Sequence, residues 1–192
     1  VVRLHRVAAS QRGIDLSLDC PSDLPQVRGS AKALRQIVTN LVTNALKFTD
    51  RGSIKVAVDL VAHTPPQGNP NETGQPKLLR VSVADSGCGV PDERKQSIFE
   101  RYETLNSPAG FAAGIGLGLP IARRLADLHG GCLSVSDTVG GGSTFEASLV
   151  VHVEAGSSSH RQTAAPAVDL GHLEAPLRLL IAEDNAMNRF VL

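Results

Sequence analysis

The stretch Ser30-Ala-Lys-Ala-Leu34-Arg-Gln-Ile37-Val38-Thr-Asn40-Leu41-Val42-Thr-Asn44-Ala45-Leu-Lys47-Phe48 decides the fold. Ser30 carries a hydroxyl suited to a helix N-cap. Leu34, Ile37, Val38, Leu41, Val42 and Ala45 then recur at helical spacing, which predicts an amphipathic helix running to about Phe48. Asn40 and Asn44 lie four residues apart and Lys47 three further, so all three project along one stripe beside the apolar face. Two carboxamides and an ammonium add nothing to a core. They offer carbonyl oxygens to a hard cation and a positive charge to phosphate. Polar residues on the outer side of a helix are common, so the stripe alone does not decide.

Downstream, Ile54, Val56, Val58 and Leu60 alternate with Lys55, Ala57 and Asp59, the pattern of a half-buried strand. His63 to Pro76 is rich in Pro, Gly and Asn and reads as an exposed loop. Leu79, Val81 and Val83 mark a further strand ending at Ala84-Asp85. Pro91 opens a short helix reaching Phe99, and a second helix is expected from Leu117 to Leu128, stopped by Gly130 and Gly131. Cys132–Ser136 and Ser143–Val151 form a hairpin around Gly140–Gly142. Upstream, Val1, Leu4, Val7 and Ala8 have the spacing of the tail of a helix ending near Gln11, and Ile14, Leu16 and Leu18 alternate as a strand. Helices and strands in mixed order, closed by a hairpin, predict an α+β chain. Its architecture is a two-layer α/β sandwich with a mixed, largely antiparallel sheet rather than a doubly wound parallel one. Residues 1–12 read as the end of a preceding helix and 13–153 as the main domain. Residues 154–176 form an Ala-, Ser- and Pro-rich linker, and 177–192 begin a further domain.

Composition removes several function classes. Lys plus Arg equals Asp plus Glu, 19 against 19, and with no Trp and 3% aromatic residues neither a nucleic-acid field nor a base-stacking platform is expected. The apolar runs are far shorter than a membrane span. Cys20, Cys88 and Cys132 are odd in number and scattered, which fits neither a disulfide framework nor a zinc site and suits a reducing, cytoplasmic setting.

Two glycine-rich segments join the asparagine stripe. Asp85-Ser86-Gly87-Cys88-Gly89-Val90 follows a strand directly, where a carboxylate can accept from an exocyclic amine and glycines let a flat ring approach the backbone. An ordinary strand-to-helix turn also suits Asp-Ser-Gly. Gly114-Ile115-Gly116-Leu117-Gly118-Leu119 leads into a helix, whose unpaired N–H groups make an anion site. A dinucleotide fingerprint is excluded because no strand precedes these glycines, and no Gly-Lys-Ser or Gly-Lys-Thr of a P-loop occurs.

Taken together, Asn40 to Phe48, Asp85 to Val90, Ile98-Phe99-Glu100, Gly114 to Leu119 and Gly141-Gly142-Ser143-Thr144-Phe145 resemble the N, G1, F, G2 and G3 boxes of the histidine-kinase catalytic domain. The resemblance covers about Ile14 to Val151. It implies the Bergerat fold of the GHKL superfamily, with helices on one sheet face and a mobile ATP lid at roughly Glu103 to Ala113. It also implies ATP and Mg²⁺ as cofactors. Asp85 would meet the adenine amine, with Gly87, Gly89 and Val90 shaping the pocket and Thr144 at its floor. Asn40 and Asn44 would hold Mg²⁺ and Lys47 the phosphates. Gly114, Gly116, Leu117, Gly118 and Leu119 would border the lid. In the ATP-hydrolysing branches a glutamate stands four residues before the magnesium asparagine. Asn40 holds that place here and cannot take a proton, which points to a kinase.

The acceptor implied is a histidine on a dimeric helical-hairpin domain. None of His5, His63, His129, His152, His160 and His172 has the family's acceptor context, and His129 reads as part of a helix C-terminus. Leu177 to Arg189, with Glu183-Asp184, resembles the first strand and loop of a response-regulator receiver domain. That implies a hybrid kinase, homodimeric in its full length, relaying phosphate to a receiver aspartate. Arg101-Tyr102 replace the usual Pro-Phe of the F box, and Ile115 stands where Thr or Ser is frequent. The alternatives are a nucleotide-binding or partner-docking module without transferase activity and a serine-directed kinase of the anti-sigma type, against which the receiver-like tail argues.

Overall fold

The structure, a computed structural model, describes residues 1–63, 75–103 and 115–153. The chain divides into two compact units, Val1–Ser158 and Ser159–Leu192, and every described residue lies in the first. The expected linker and receiver segment, most of the expected lid, and Gly114 lie outside the described residues.

The described elements are α1 (Val2–Gln11), β1 (Ile14–Asp19), β2 (Val27–Arg28), α2 (Ala31–Phe48), β3 (Gly52–Ala62), β4 (Gln75–Asp85), α3 (Gly118–Leu128), β5 (Leu133–Asp137) and β6 (Ser143–Val153). The sheet runs β1-β3-β4-β6-β2, with β5 also paired to β6. Only β1 with β3 is parallel; β3–β4, β4–β6, β5–β6 and β2–β6 are antiparallel. This is the mixed, largely antiparallel open sheet that the order of elements predicted.

Strand alternation sends Ile54 and Val56, then Leu79, Val81 and Val83, then Phe145, Ala147, Leu149 and Val151 to one face, where all are buried. The opposite face carries Asp59 and Arg80, directly paired in register and joined by two hydrogen bonds of 2.9 and 2.5 Å. Helix α2 lays Ile37, Leu41, Val42 and Ala45 on the apolar face, and α3 adds Ala122 and Ala126 to the same core. Small alanines there let α3 approach both α2 and the sheet closely. Ser30 caps α2 as expected, its Oγ accepting from the Ala33 N–H at 3.2 Å.

Three sequence expectations change. The helix predicted from Pro91 to Phe99 is instead two short 3₁₀ turns, Asp92–Arg94 and Ser97–Phe99. Only Ile98 and Phe99 are buried there, so no amphipathic face repays the cost of nucleating an α-helix. β4 starts at Gln75, before the apolar run that marked it, because backbone pairing to β3 and β6 carries the strand outward. β2, two exposed residues held by pairing to Val153 and His152, has no side-chain pattern to announce it.

One contact crosses from the first loop to the end of α2. Arg12 Nη1 donates to the Leu46 carbonyl and Nη2 to the Thr49 carbonyl at 3.0 Å. A guanidinium on the last carbonyls of a helix satisfies orphan acceptors and meets the negative end of the dipole. Arg12→Ala should therefore lower the unfolding free energy by about 1–3 kcal/mol. Urea denaturation checks this, and an unchanged midpoint would show that the cap contributes nothing.

Candidate nucleotide site

At the end of β4, Asp85 is 5% exposed. Its Oδ1 accepts from the Gly87 N–H at 2.9 Å and the Ser143 N–H at 3.2 Å. Burial raises the carboxyl above the ordinary aspartate value, and these two backbone donors partly offset the rise. The glycines of the two loops are needed for contact. A Cβ on Gly87 would lie 2.3 Å from the Phe48 carbonyl oxygen, and one on Gly142, at φ +95°, would lie 2.0 Å from the Asp85 carbonyl oxygen. The end of α2, the end of β4 and the start of β6 therefore meet with no room for side chains between them.

Beside this junction a cavity of about 20 Å³ is lined by Asn44, Phe48, Asp85, Gly89, Val90, Ser143 and Phe145. Asn44 and Phe48 also line a second cavity of about 500 Å³, bounded by Thr43, Lys47, Ile98 and Glu103 and by residues 115–120. The two spaces thus share a wall on α2. Asn44 and Asp85 fall in one cleft.

The large cavity ends at the start of α3, where the N–H groups of Gly118 and Leu119 have no acceptor within the helix. Pro120 has no N–H to contribute. Lys47, in the last turn of α2, has Nζ 5.0 Å from the centroid of the Phe48 ring. The side-chain amide of Asn44 makes no hydrogen bond among the described residues, so its oxygen is available to a hard cation. Such a site would take one protein oxygen and leave the other positions to water and phosphate, a manner of binding that suits Mg²⁺.

Of the residues singled out by sequence, Asn44, Lys47, Gly116, Leu117, Gly118 and Leu119 line the large cavity, and Asn44, Asp85, Gly89 and Val90 the small one. Gly87 stands behind Asp85. Two others lie elsewhere. Asn40 lines neither cavity: its Nδ2 donates to the Gly118 carbonyl at 2.9 Å, and its Oδ1 accepts from Gln36 Nε2 at 3.1 Å. Thr144 also lines neither, because alternation along β6 turns it away from Ser143 and Phe145, and its hydroxyl meets Thr138 Oγ1 at 2.8 Å. Sequence reasoning missed the Ser143 N–H and the walls Phe48, Phe145 and Ile98. All four stood inside the quoted motifs, where apolar or small residues drew no chemical role. Glu103 entered only as the start of the expected lid, with no chemical role.

A nucleotide-sized cleft between the helix layer and the strand ends of a largely antiparallel open sheet defines a small class of ATP-binding sandwich domains. The family model of histidine kinase-, DNA gyrase B- and HSP90-like ATPases matches residues 29–153, and the chain belongs to that family. Within it, the chain is similar to histidine kinases. It is 38% identical over 183 residues to the sensor histidine kinase AruS of Pseudomonas aeruginosa, covering 93% of this chain and 16% of that protein. It is 33% identical over 192 residues to the aerobic respiration control sensor protein ArcB of Escherichia coli, covering 98% and 22%. The chain thus spans less than a quarter of the length of either relative. Among solved structures, full-length ShkA in complex with AMPPNP superposes with a TM-score of 0.62 at 29% identity, covering 81% of this chain and 29% of that one. The nucleotide-free catalytic domain of histidine kinase ThkA gives 0.59 at 26%, covering 77% and 87%.

Because Gly142 combines a left-handed φ with contact to the Asp85 backbone, Gly142→Ala should cost at least about 2 kcal/mol of stability. Asp85→Asn should behave in the opposite way. An amide oxygen can accept the same two N–H bonds without a buried charge. The variant should therefore be at least as stable as the wild type at neutral pH, and its advantage should fade as pH falls to where Asp85 is protonated anyway. Thermal unfolding of both variants between pH 4 and 7 tests the pair.

Proposed function

We propose that this chain is the Mg-ATP-binding catalytic domain of a two-component histidine kinase, transferring the γ-phosphoryl to a histidine on a separate helical-hairpin domain. The observation that carries the reading is the single cleft holding Asp85 at one end and Asn44, Lys47 and the start of α3 at the other. In this reading the exocyclic amine of adenine donates to the Asp85 carboxylate. The small cavity, about 20 Å³, has room for about one water, so an adenine ring would reach Asp85 from the larger space by widening it. Lys47 and the Gly118 and Leu119 amides bind the phosphates. Asn44 would be the direct metal ligand, and Asn40 keeps Gly118 in place. A Mg²⁺ ion held by Asn44 would supply positive charge against the phosphates.

The chemistry asked of the protein is positioning and charge stabilisation, the main needs of phosphoryl transfer. Asn40 stands where a hydrolase would carry its base, and its amide is already engaged with Gly118 and Gln36. That arrangement favours a supplied imidazole over water as the nucleophile. The imidazole nitrogen bonds to the γ-phosphorus as the bond to the bridging oxygen breaks, and ADP leaves.

The partners follow from the same reading: a histidine-bearing dimerisation domain, a homodimeric full-length protein, and a receiver domain beginning near Leu177. The receiver-like stretch from Leu177 to Arg189 supports a parent protein of the hybrid kind. No helix among the described residues is long and apolar enough to cross a membrane.

Calorimetry with ATP tests the reading. Asp85→Asn should lose adenine-nucleotide binding by at least about tenfold, the scale of one buried charge-assisted hydrogen bond. Wild-type affinity in that variant would refute the adenine role. Asn44→Ala should abolish the magnesium-dependent part of binding. Incubated with γ-labelled ATP, the chain alone should stay unlabelled and should label an added hairpin domain. Binding without transfer to any such domain would favour a nucleotide-sensing module.

A further inference from the structure

Glu103 lies on the wall of the large cavity with Asn44 and Lys47. Among the described residues, the others lining it are Thr43 and apolar or glycine positions, so one cation and one anion cancel there where a metal-free triphosphate would bring several negative charges. The carboxylate is held in place. Its Oε2 accepts from Arg94 Nη2 at 2.6 Å, while Oε1 makes no hydrogen bond among the described residues. The backbone is tied as well: the preceding residue's N–H, that of Tyr102, donates to the Gly116 carbonyl at 3.1 Å, and Glu103's own N–H to the Glu100 carbonyl at 3.4 Å. A Cβ on Gly116 would lie 2.8 Å from the Glu103 carbonyl oxygen, so the carboxylate's base is packed against the approach to α3. Arg94 does not line the cavity, and its Nε is buried without a partner. It is paired with Glu103 and does not itself line the cavity.

We infer that Glu103 makes nucleotide binding in this cavity conditional on a divalent cation, an inference that rests on the nucleotide reading above. A fixed carboxylate beside an unneutralised triphosphate is repulsive. A hard cation between the two is attracted by both and reverses the sign of the interaction. The site would then admit Mg-ATP and reject free ATP. Lys47 alone would not discriminate between them, since an ammonium attracts both forms.

The test is calorimetry on the full chain with ATP in excess Mg²⁺ and with ATP in EDTA, using adenosine as an uncharged control. The ratio of the two ATP dissociation constants measures the discrimination. In Glu103→Gln that ratio should fall by at least about tenfold, mainly through tighter metal-free binding. In Arg94→Gln it should rise, because the carboxylate loses its paired cation. Adenosine affinity should be the same in all three proteins. A ratio in Glu103→Gln equal to that of the wild type would overturn the inference, as would an equal change in adenosine affinity. Failure of the wild type to bind ATP in either medium is a different result, and it would remove the nucleotide reading together with this one.

Discussion

A carboxylate removed from water must find donors, and for Asp85 they come from two backbone N–H groups on different segments of the chain. Gly87 follows it directly, and Ser143 arrives 58 residues later at the start of β6. Each bond therefore fixes a loop as well as a charge. With the Phe48 carbonyl packed against Gly87 and the Asp85 carbonyl against Gly142, the last turn of α2 joins the same junction. The rest of the cleft is built outward from this point.

From there the helix layer sets the dimensions. α2 buries Ile37, Leu41, Val42 and Ala45 on the sheet, which turns Asn44 and Lys47 along its flank toward the space under α3. α3 rests on Ala122 and Ala126, and Asn40 reaches its first turn through the Gly118 carbonyl. The α3 end of the cleft is thus held by a helix-to-helix hydrogen bond and close alanine packing, the Asp85 end by strand-end backbone. The core and the cavity wall use the same helix on adjacent faces.

The two asparagines show how far spacing reaches. Their separation by four residues correctly places both on one stripe of α2, but a stripe spans more than one neighbour. Asn44 meets the cavity, while Asn40, one turn earlier, meets the α3 backbone. Thr144 shows the same limit along β6, where a shift of one residue changes the sheet face. Glu103 belongs to no periodic pattern. It reaches the cavity wall only because the chain returns from the 3₁₀ turns past Gly116.

By itself the sequence determined the layers, the largely antiparallel sheet, the cap at Ser30, the helix stop at Gly130 and the family of the nucleotide boxes. These follow from local periodicity, capping and turn chemistry, which act over a few residues. Tertiary structure alone decided that Ser143 serves Asp85, that Arg12 closes α2, that Asn40 and Asn44 part company, and that Glu103 lines the same cavity as Lys47. Those are contacts between segments far apart in the chain. Their geometry depends on how whole elements pack, and no short stretch of residues encodes it.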